Sequence, residues 1–174
     1  VSNHSTPQAL EALKNGLVDV AVVTTPLDLS DSLKSTSIKN IQEVAICGTA
    51  FSFLEKNQLT LSELAEYPLI CLGEQTKTFD FYSEFFKQNG VVFSPSVEAA
   101  TADQIMPLVM HDLGIGFVPM KFLENVKGAN SVHILHLEET IPTRSICLVK
   151  RTGTSLSIAA KKLEEMILEA KTIK

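Results

Sequence analysis

Hydroxyl side chains recur where this sequence turns from a strand into a helix. Ser5 and Thr6 precede a helical stretch, and Thr24 and Thr25 follow an apolar run. Thr76 and Thr78 stand before a Phe-rich segment, and Thr101 precedes the stretch holding Ile105 and Val109. A helix N-terminus offers unpaired amide donors and a partial positive charge. Ser and Thr add hydroxyl donors without a counter-charge, so such turns suit carboxylate, sulfate or phosphate groups. In open α/β sheets, ligands sit at the carboxyl ends of the strands. Taken singly, each hydroxyl is an ordinary cap. Four such turns in one chain, with Lys77 as the nearby cation, point to a small anionic ligand.

Constellations for bond-making chemistry are missing. His133 and His136 are three apart in a strand-like run, which places them on opposite faces, and His4 and His111 are isolated. There is no HExxH, CxxC, acidic metal cluster, G-x-S-x-G elbow or phosphate loop. Gly114-Ile115-Gly116 lacks a third glycine and lies at the wrong end of its helix for a dinucleotide fingerprint. Glu164 and Glu165 read as a solvated helix face. No catalytic residue, metal or cofactor is assigned, and the chain is not read as an enzyme. Cys47, Cys71 and Cys147 each sit in an apolar strand-like run and read as buried, reduced thiols of a cytoplasmic protein.

The 174 residues are 45% hydrophobic and 20% charged, enough to bury a core in one domain or two small lobes. The net charge is −5, and the basic residues are spread out, so no clustered footprint for DNA or RNA exists. Aromatic residues are few and Trp is absent, which argues against a base-stacking surface. No apolar run approaches the ~18–20 residues of a membrane span. The first residues lack a basic n-region followed by an apolar h-region.

The elements that must position these side chains alternate between strands and helices. Thr6-Pro7 starts a helix through Lys14 that Gly16 ends, with Thr6 at the cap and Leu10 and Leu13 at helical spacing. Val18 to Val23 is a short strand, residues 27 to 37 a Ser-rich loop, and Val44 to Cys47 another strand. Thr60-Leu61-Ser62-Glu63 is a capping box whose helix ends before Pro68. Leu69 to Leu72 is a buried strand. A polar turn then leads into a helix with Phe79, Tyr82, Phe85 and Phe86, closed by Asn89-Gly90. Val97 to Ala99 is a strand, and Thr101 caps the next helix. Gly114 is free to take the left-handed conformation that ends that helix, and Gly116 lets helix and strand backbones approach. Pro119 stops the strand that follows. Val132 to Leu137 and Ser145 to Val149 are two more strands. Ser157 caps a last helix with Ala159, Leu163, Met166, Ile167 and Ala170 on its core face. This alternation predicts an α/β fold with mostly parallel sheets.

The order of these pieces resembles the effector-binding domain of LysR-type transcriptional regulators. Ser5-Thr6-Pro7 with Leu13 to Ala21 is similar to the family's L-x-x-G-x-x-D-x-A signature. Leu64 with Pro68-Leu69-Ile70 resembles its L-x-x-x-P-L-I. Val97-Glu98, Leu108-Val109 and Gly114 to Pro119 resemble its L-V-x-x-G-x-G-I-x-x-L-P region. Arg144 to Val149 and Ser157 to Ala160 complete the match, which runs nearly end to end.

The resemblance implies a periplasmic-binding-protein type II fold: two Rossmann-like lobes joined by two crossover strands. Residues 1–47 and 145–174 would form the first lobe and residues 48–144 the second. The strand and helix that open such a domain have no counterpart before Val1. The resemblance also implies a small, anionic effector in a cleft between the lobes. Its pocket positions fall at Ser5, Thr6, Thr24, Thr25, Thr76, Thr78 and Thr101, with Phe117 and Pro119 at the wall. A cytoplasmic homodimer or homotetramer is expected, through the helices Pro7 to Lys14 and Asp103 to Asp112. DNA would be bound only through a winged helix-turn-helix outside this sequence, and no membrane is involved. The rival reading is an extracytoplasmic solute-binding protein of the same fold, and after it an enzyme on that fold.

Overall fold

The computed structural model describes residues 1–124 and 131–172. In chain order the elements are α1 (Thr6–Lys14), β1 (Val20–Thr24), β2 (Leu33–Ile41), β3 (Glu43–Cys47), β4 (Gln58–Leu59), α2 (Leu61–Leu64), β5 (Leu69–Leu72), α3 (Lys77–Gln88), β6 (Val97–Ala99), α4 (Ile105–Met110), β7 (Ile115–Pro119), α5 (Met120–Leu123), β8 (His133–Leu137), β9 (Arg144–Arg151) and α6 (Ile158–Thr172). Short 3-10 helices cover Thr49–Lys56 and Ala102–Gln104. The chain forms two compact units, Val1–Ile41 with Arg144–Lys174, and Gln42–Thr143.

The first unit is built on a three-stranded sheet in the order β1-β9-β2. α1 begins one residue earlier than expected. Ser5 is its N-cap and donates its backbone N–H to Gln8 Oε1 at 3.0 Å, while Pro7 fits the first turn without losing a bond. Leu10 and Leu13 face inward and bury against Ala21, Val23, Leu33, Cys147 and Val149. β2 corrects the expected loop at residues 27–37. Its pairing with β9 runs from Leu33↔Arg151 to Ile41↔Arg144, with an irregularity between Ser37 and Lys39. Leu33 is the one buried residue of this strand. It is an outer strand, and its polar residues, Lys34 and Lys39 among them, suit a sheet edge.

Both pairings in this sheet are antiparallel, which corrects the expectation of mostly parallel sheets. The reason is that β9 runs opposite to both β1 and β2, so no helical crossover links neighbouring strands here.

α6 needs a second correction. Ser157 caps it as expected, accepting from Ala160 N at 3.3 Å and donating to Asp19 Oδ2 at 2.6 Å. Its inner face, however, carries Ala160, Glu164 and Ile167, with Lys150 Nζ 2.6 Å from Glu164 Oε1. Leu163 and Met166, expected in the core, are exposed. The ion pair to β9 rotates the helix away from its most apolar stripe.

The second unit is a six-stranded mixed sheet in the order β4-β8-β3-β7-β5-β6. Neighbours β7-β5-β6 and β4-β8 are parallel, whereas β8-β3-β7 are antiparallel. Because β3 pairs with β7 and β8, residues Glu43–Cys47 lie in this unit, and the boundary falls at Ile41 and Thr143. One face of the sheet is covered by α3, whose Tyr82, Phe85 and Phe86 pack with Phe93 and Phe117. The other face is covered by α4 through Ile105, Met106 and Val109. α2 carries the expected box: Glu63 N–H donates to Thr60 Oγ1 at 3.2 Å and Thr60 N–H to Glu63 Oε2 at 2.8 Å. The bond from the Thr60 backbone holds the Glu63 carboxyl below its ordinary range.

The joint from α4 to β7 is tight for the expected reason, with one change. Asp112, at φ +59°, takes the left-handed position after α4, and Gly114 stands at φ +153°. A side chain on Gly114 would collide with the Pro68 carbonyl. On Gly116 a Cβ would lie 2.7 Å from Ile105 Cγ2 and 2.8 Å from Val109 Cγ2, so the helix rests directly on this strand.

Candidate functional site

The hydroxyl residues fall in both units, and their hydrogen bonds separate them into three kinds. In the first unit Ser5 caps α1 in a capping box with Gln8, and Thr6 opens its first turn. Neither hydroxyl gives its hydrogen to another described residue. Thr24 ends β1 and Thr25 follows it. The Thr24 hydroxyl accepts from Arg144 Nη2 at 2.9 Å, and the Thr25 hydroxyl accepts from Ser145 N at 2.9 Å. Both keep their own hydrogen to give.

In the second unit Thr76 is the working cap of α3. Its Oγ1 accepts from Phe79 N at 3.1 Å and donates to the Gly73 carbonyl at 2.9 Å, so its donor is already taken. Thr78 lies in the first turn of that helix, and its side chain or backbone is engaged elsewhere. Lys77 Nζ meets Asp80 Oδ2 at 2.8 Å. Thr101 caps the 3-10 turn Ala102–Gln104 rather than α4 itself. Gln104 Oε1 accepts from Ala100 N and Thr101 N, and the Thr101 side chain faces Gln104 N in the same capping box. Phe117 is buried in β7, its ring stacked on Tyr82 with centroids 4.4 Å apart. Pro119 ends β7 opposite Glu43 and is half-buried. An open groove of about 650 Å³ elsewhere in this unit is lined by Gln42, Val44, Lys56, Ile134, His136 and Glu139, and includes none of these positions.

Sequence reasoning missed two polar residues inside the fold. Arg144 and Glu43 are both buried. Arg144 Nε donates to the Thr25 carbonyl at 2.7 Å, and Glu43 accepts a short hydrogen bond from the Tyr82 hydroxyl. The signal for Arg144 was available: a charged residue opens an apolar strand on the same parity as Ile146 and Leu148.

The cysteines are buried and free. Burial, with Glu55 and then Asp112 adding negative charge, pushes the Cys47 thiol up to about 11. At pH 7 it carries almost no thiolate, the form that reacts. Folded protein is expected to leave Cys47 unlabelled by iodoacetamide at pH 7, with labelling only after addition of denaturant. Mass spectrometry of Cys47 peptides showing modification at equal rates in both states would overturn that expectation. His133 is held by Glu55 at 2.8 Å. Among the described residues no helix is long and apolar enough to cross a membrane.

Comparison with known proteins identifies the fold and the family. Residues 1–172 match the family described as LysR substrate binding domain. The chain is 26% identical over 164 residues to the HTH-type transcriptional regulator SsuR of Burkholderia cenocepacia, covering 93% of this chain and 52% of SsuR. It thus spans about half the length of that curated relative. The regulatory domain of CcmR from Synechocystis PCC6803, solved in complex with 2-PG, superposes with a TM-score of 0.80 at 15% identity, over 99% of this chain and 82% of that one. The effector binding domain of QuiR, solved in complex with shikimate, gives a TM-score of 0.80 at 17% identity, over 97% and 79% of the two chains. These likenesses establish a mixed α/β fold of the type II periplasmic-binding-protein kind. With the family match spanning residues 1–172, the chain belongs to the LysR substrate binding domain family.

Proposed function

We propose that this chain is the effector-sensing part of a transcriptional regulator and binds a small anionic metabolite. The observation that carries the reading is the set of hydroxyls in the first unit with a donor to spare, at Ser5, Thr6, Thr24 and Thr25. Such donors favour an oxyanion and give no counter-charge that would trap it. In the second unit Thr101 keeps a hydrogen to give, Thr76 caps the first turn of α3, where Thr78 lies, and Phe117 and Pro119 belong to β7. The relatives named above fit this reading: one is a transcriptional regulator, and two others were solved with 2-PG and with shikimate. The effector acts by binding one conformation of the chain better than another, since only that difference in affinity moves the population. In the full-length protein, a cytoplasmic homodimer or homotetramer, this shift reaches DNA through a helix-turn-helix segment that the present residues do not include.

The reading is tested by thermal-shift screening against carboxylates, sulfate and phosphate esters. A true effector raises Tm in a saturable way. Thr6→Val and Thr25→Val are each expected to weaken it about tenfold, the worth of one hydrogen bond to a charged group. An effector whose affinity survives both substitutions would remove these turns from the site.

A further inference from the structure

Arg144 is a buried cation with a specific set of bonds. It is 3% exposed, and its guanidinium reaches one turn with two donors: Nε to the Thr25 carbonyl at 2.7 Å and Nη2 to the Thr24 hydroxyl at 2.9 Å. The next residue continues the clamp. Ser145 N–H donates to the Thr25 hydroxyl at 2.9 Å, Thr25 N–H returns to the Ser145 carbonyl at 2.9 Å, and the Ser145 hydroxyl donates to Asn40 Oδ1 at 2.8 Å. All of these groups lie in the first unit.

The chemistry of the donors decides what the two threonines can do. A guanidinium and a backbone N–H donate and never accept. Each threonine hydroxyl is therefore held as an acceptor, and its own hydrogen must point to something else. Neither Thr24 nor Thr25 gives that hydrogen to another described residue. A hydroxyl that accepts from a cation is polarised and becomes a better donor.

We propose that Arg144 is a positioning residue that determines specificity: it fixes the Thr24 hydroxyl as a donor and, through the Thr25 carbonyl, holds the turn in which Ser145 N–H fixes the Thr25 hydroxyl beside it. The ligand group at this turn must then be an acceptor such as an oxyanion, and not an ammonium. The proposal rests on the reading of the chain as an anion-binding domain. Arg144 acts through the threonines and does not itself touch the ligand. Lysine is not equivalent, because one ammonium cannot present the Nε and Nη2 fork.

The test is an NMR titration of the isotopically labelled chain with sulfate, phosphate and acetate at constant ionic strength. Wild type is compared with Thr24→Val, Thr24→Ser, Arg144→Lys and the Thr24→Val/Arg144→Lys pair. Saturable shifts are expected at the Thr24 and Thr25 amides and at the Arg144 Nε–H, all with one Kd. Arg144→Lys should weaken binding about tenfold, as loss of aligned charge-assisted hydrogen bonds requires. Thr24→Ser should bind like wild type. In the Thr24→Val background the effect of Arg144→Lys should shrink several-fold, because the residue it aligns is gone. An equal effect in both backgrounds overturns the proposal. Saturable shifts that spare Thr24 and Thr25 overturn it too, while leaving the anion-binding reading intact. No saturable shift with any of the three anions overturns both. If Arg144→Lys does not fold, the wild-type Arg144 Nε–H decides: it must follow the titration in wild type and lose that response in Thr24→Val.

Discussion

A Gly114→Ala chain is expected to lose about 3 kcal/mol of stability or more, from a strained backbone and a backbone clash together. Gly114 stands at φ +153°, where a side chain is strained whatever the space around it. The added Cβ would also meet the Pro68 carbonyl, and that carbonyl cannot simply retreat. It accepts the Ile115 N–H at 2.8 Å and leads directly into β5, which pairs with β7 at Leu69↔Ile115. Gly90→Ala is the control: its φ is +75°, but no atom lies within 4 Å of the new Cβ. Its cost should be about 1 kcal/mol, the conformational penalty alone. Urea unfolding of both variants checks the difference. Equal losses would mean that the close approach to Pro68 has no energetic weight.

Phe86→Ala should cost about 3–5 kcal/mol, the range for emptying a large aromatic site. Phe86 is fully buried in the second unit, with ring centroids of Phe93, Phe85 and Phe117 at 4.8, 5.9 and 6.2 Å. These rings are held by α3 on one side and β7 on the other, so the vacated space cannot collapse without moving the sheet. Phe122→Ala is the comparison, since Phe122 is 50% exposed. That change should stay within about 0.5 kcal/mol. A Phe86→Ala variant that unfolds at the wild-type urea concentration would show that this ring does not carry the core.

Much of the fold was legible because its signals are local. The Thr60 box, the Thr76 cap, the apolar run Leu69–Leu72 and the glycine joint before Ile115 each depend on a few neighbouring residues, and the structure has each in place. What escaped depends on distant partners. β2 reads as loop because its burial comes from Leu33 alone, while its hydrogen bonds come from β9 over a hundred positions later. The inner face of α6 was misread because apolar periodicity favoured Leu163 and Met166, whereas a pairing with Lys150 turned Glu164 inward. At the candidate site the same limit holds. Spacing located the helix starts at Ser5, Thr76 and Thr101, whereas Thr24 and Thr25, at the end of β1, lead into β2 and precede no helix. It could not say that Thr76 spends its donor on Gly73 while Thr24 and Thr25 keep theirs, since the last two accept from Arg144 and from Ser145 N, more than a hundred positions away.

The interleaving of the first unit has a consequence for how the chain folds as it leaves the ribosome. The second unit is one continuous segment, Gln42–Thr143, and can close as soon as it has emerged. The first unit cannot, because its middle strand, β9, is synthesised after all of the second unit, and among the described residues neither β1 nor β2 has a strand partner until then. Vectorial synthesis therefore imposes an order, with the later-starting unit finished first. During that interval Val22 and its neighbours in β1 are an unpaired apolar strand on a nascent chain. The polar residues of β2 then protect only one of the two waiting strands from premature association.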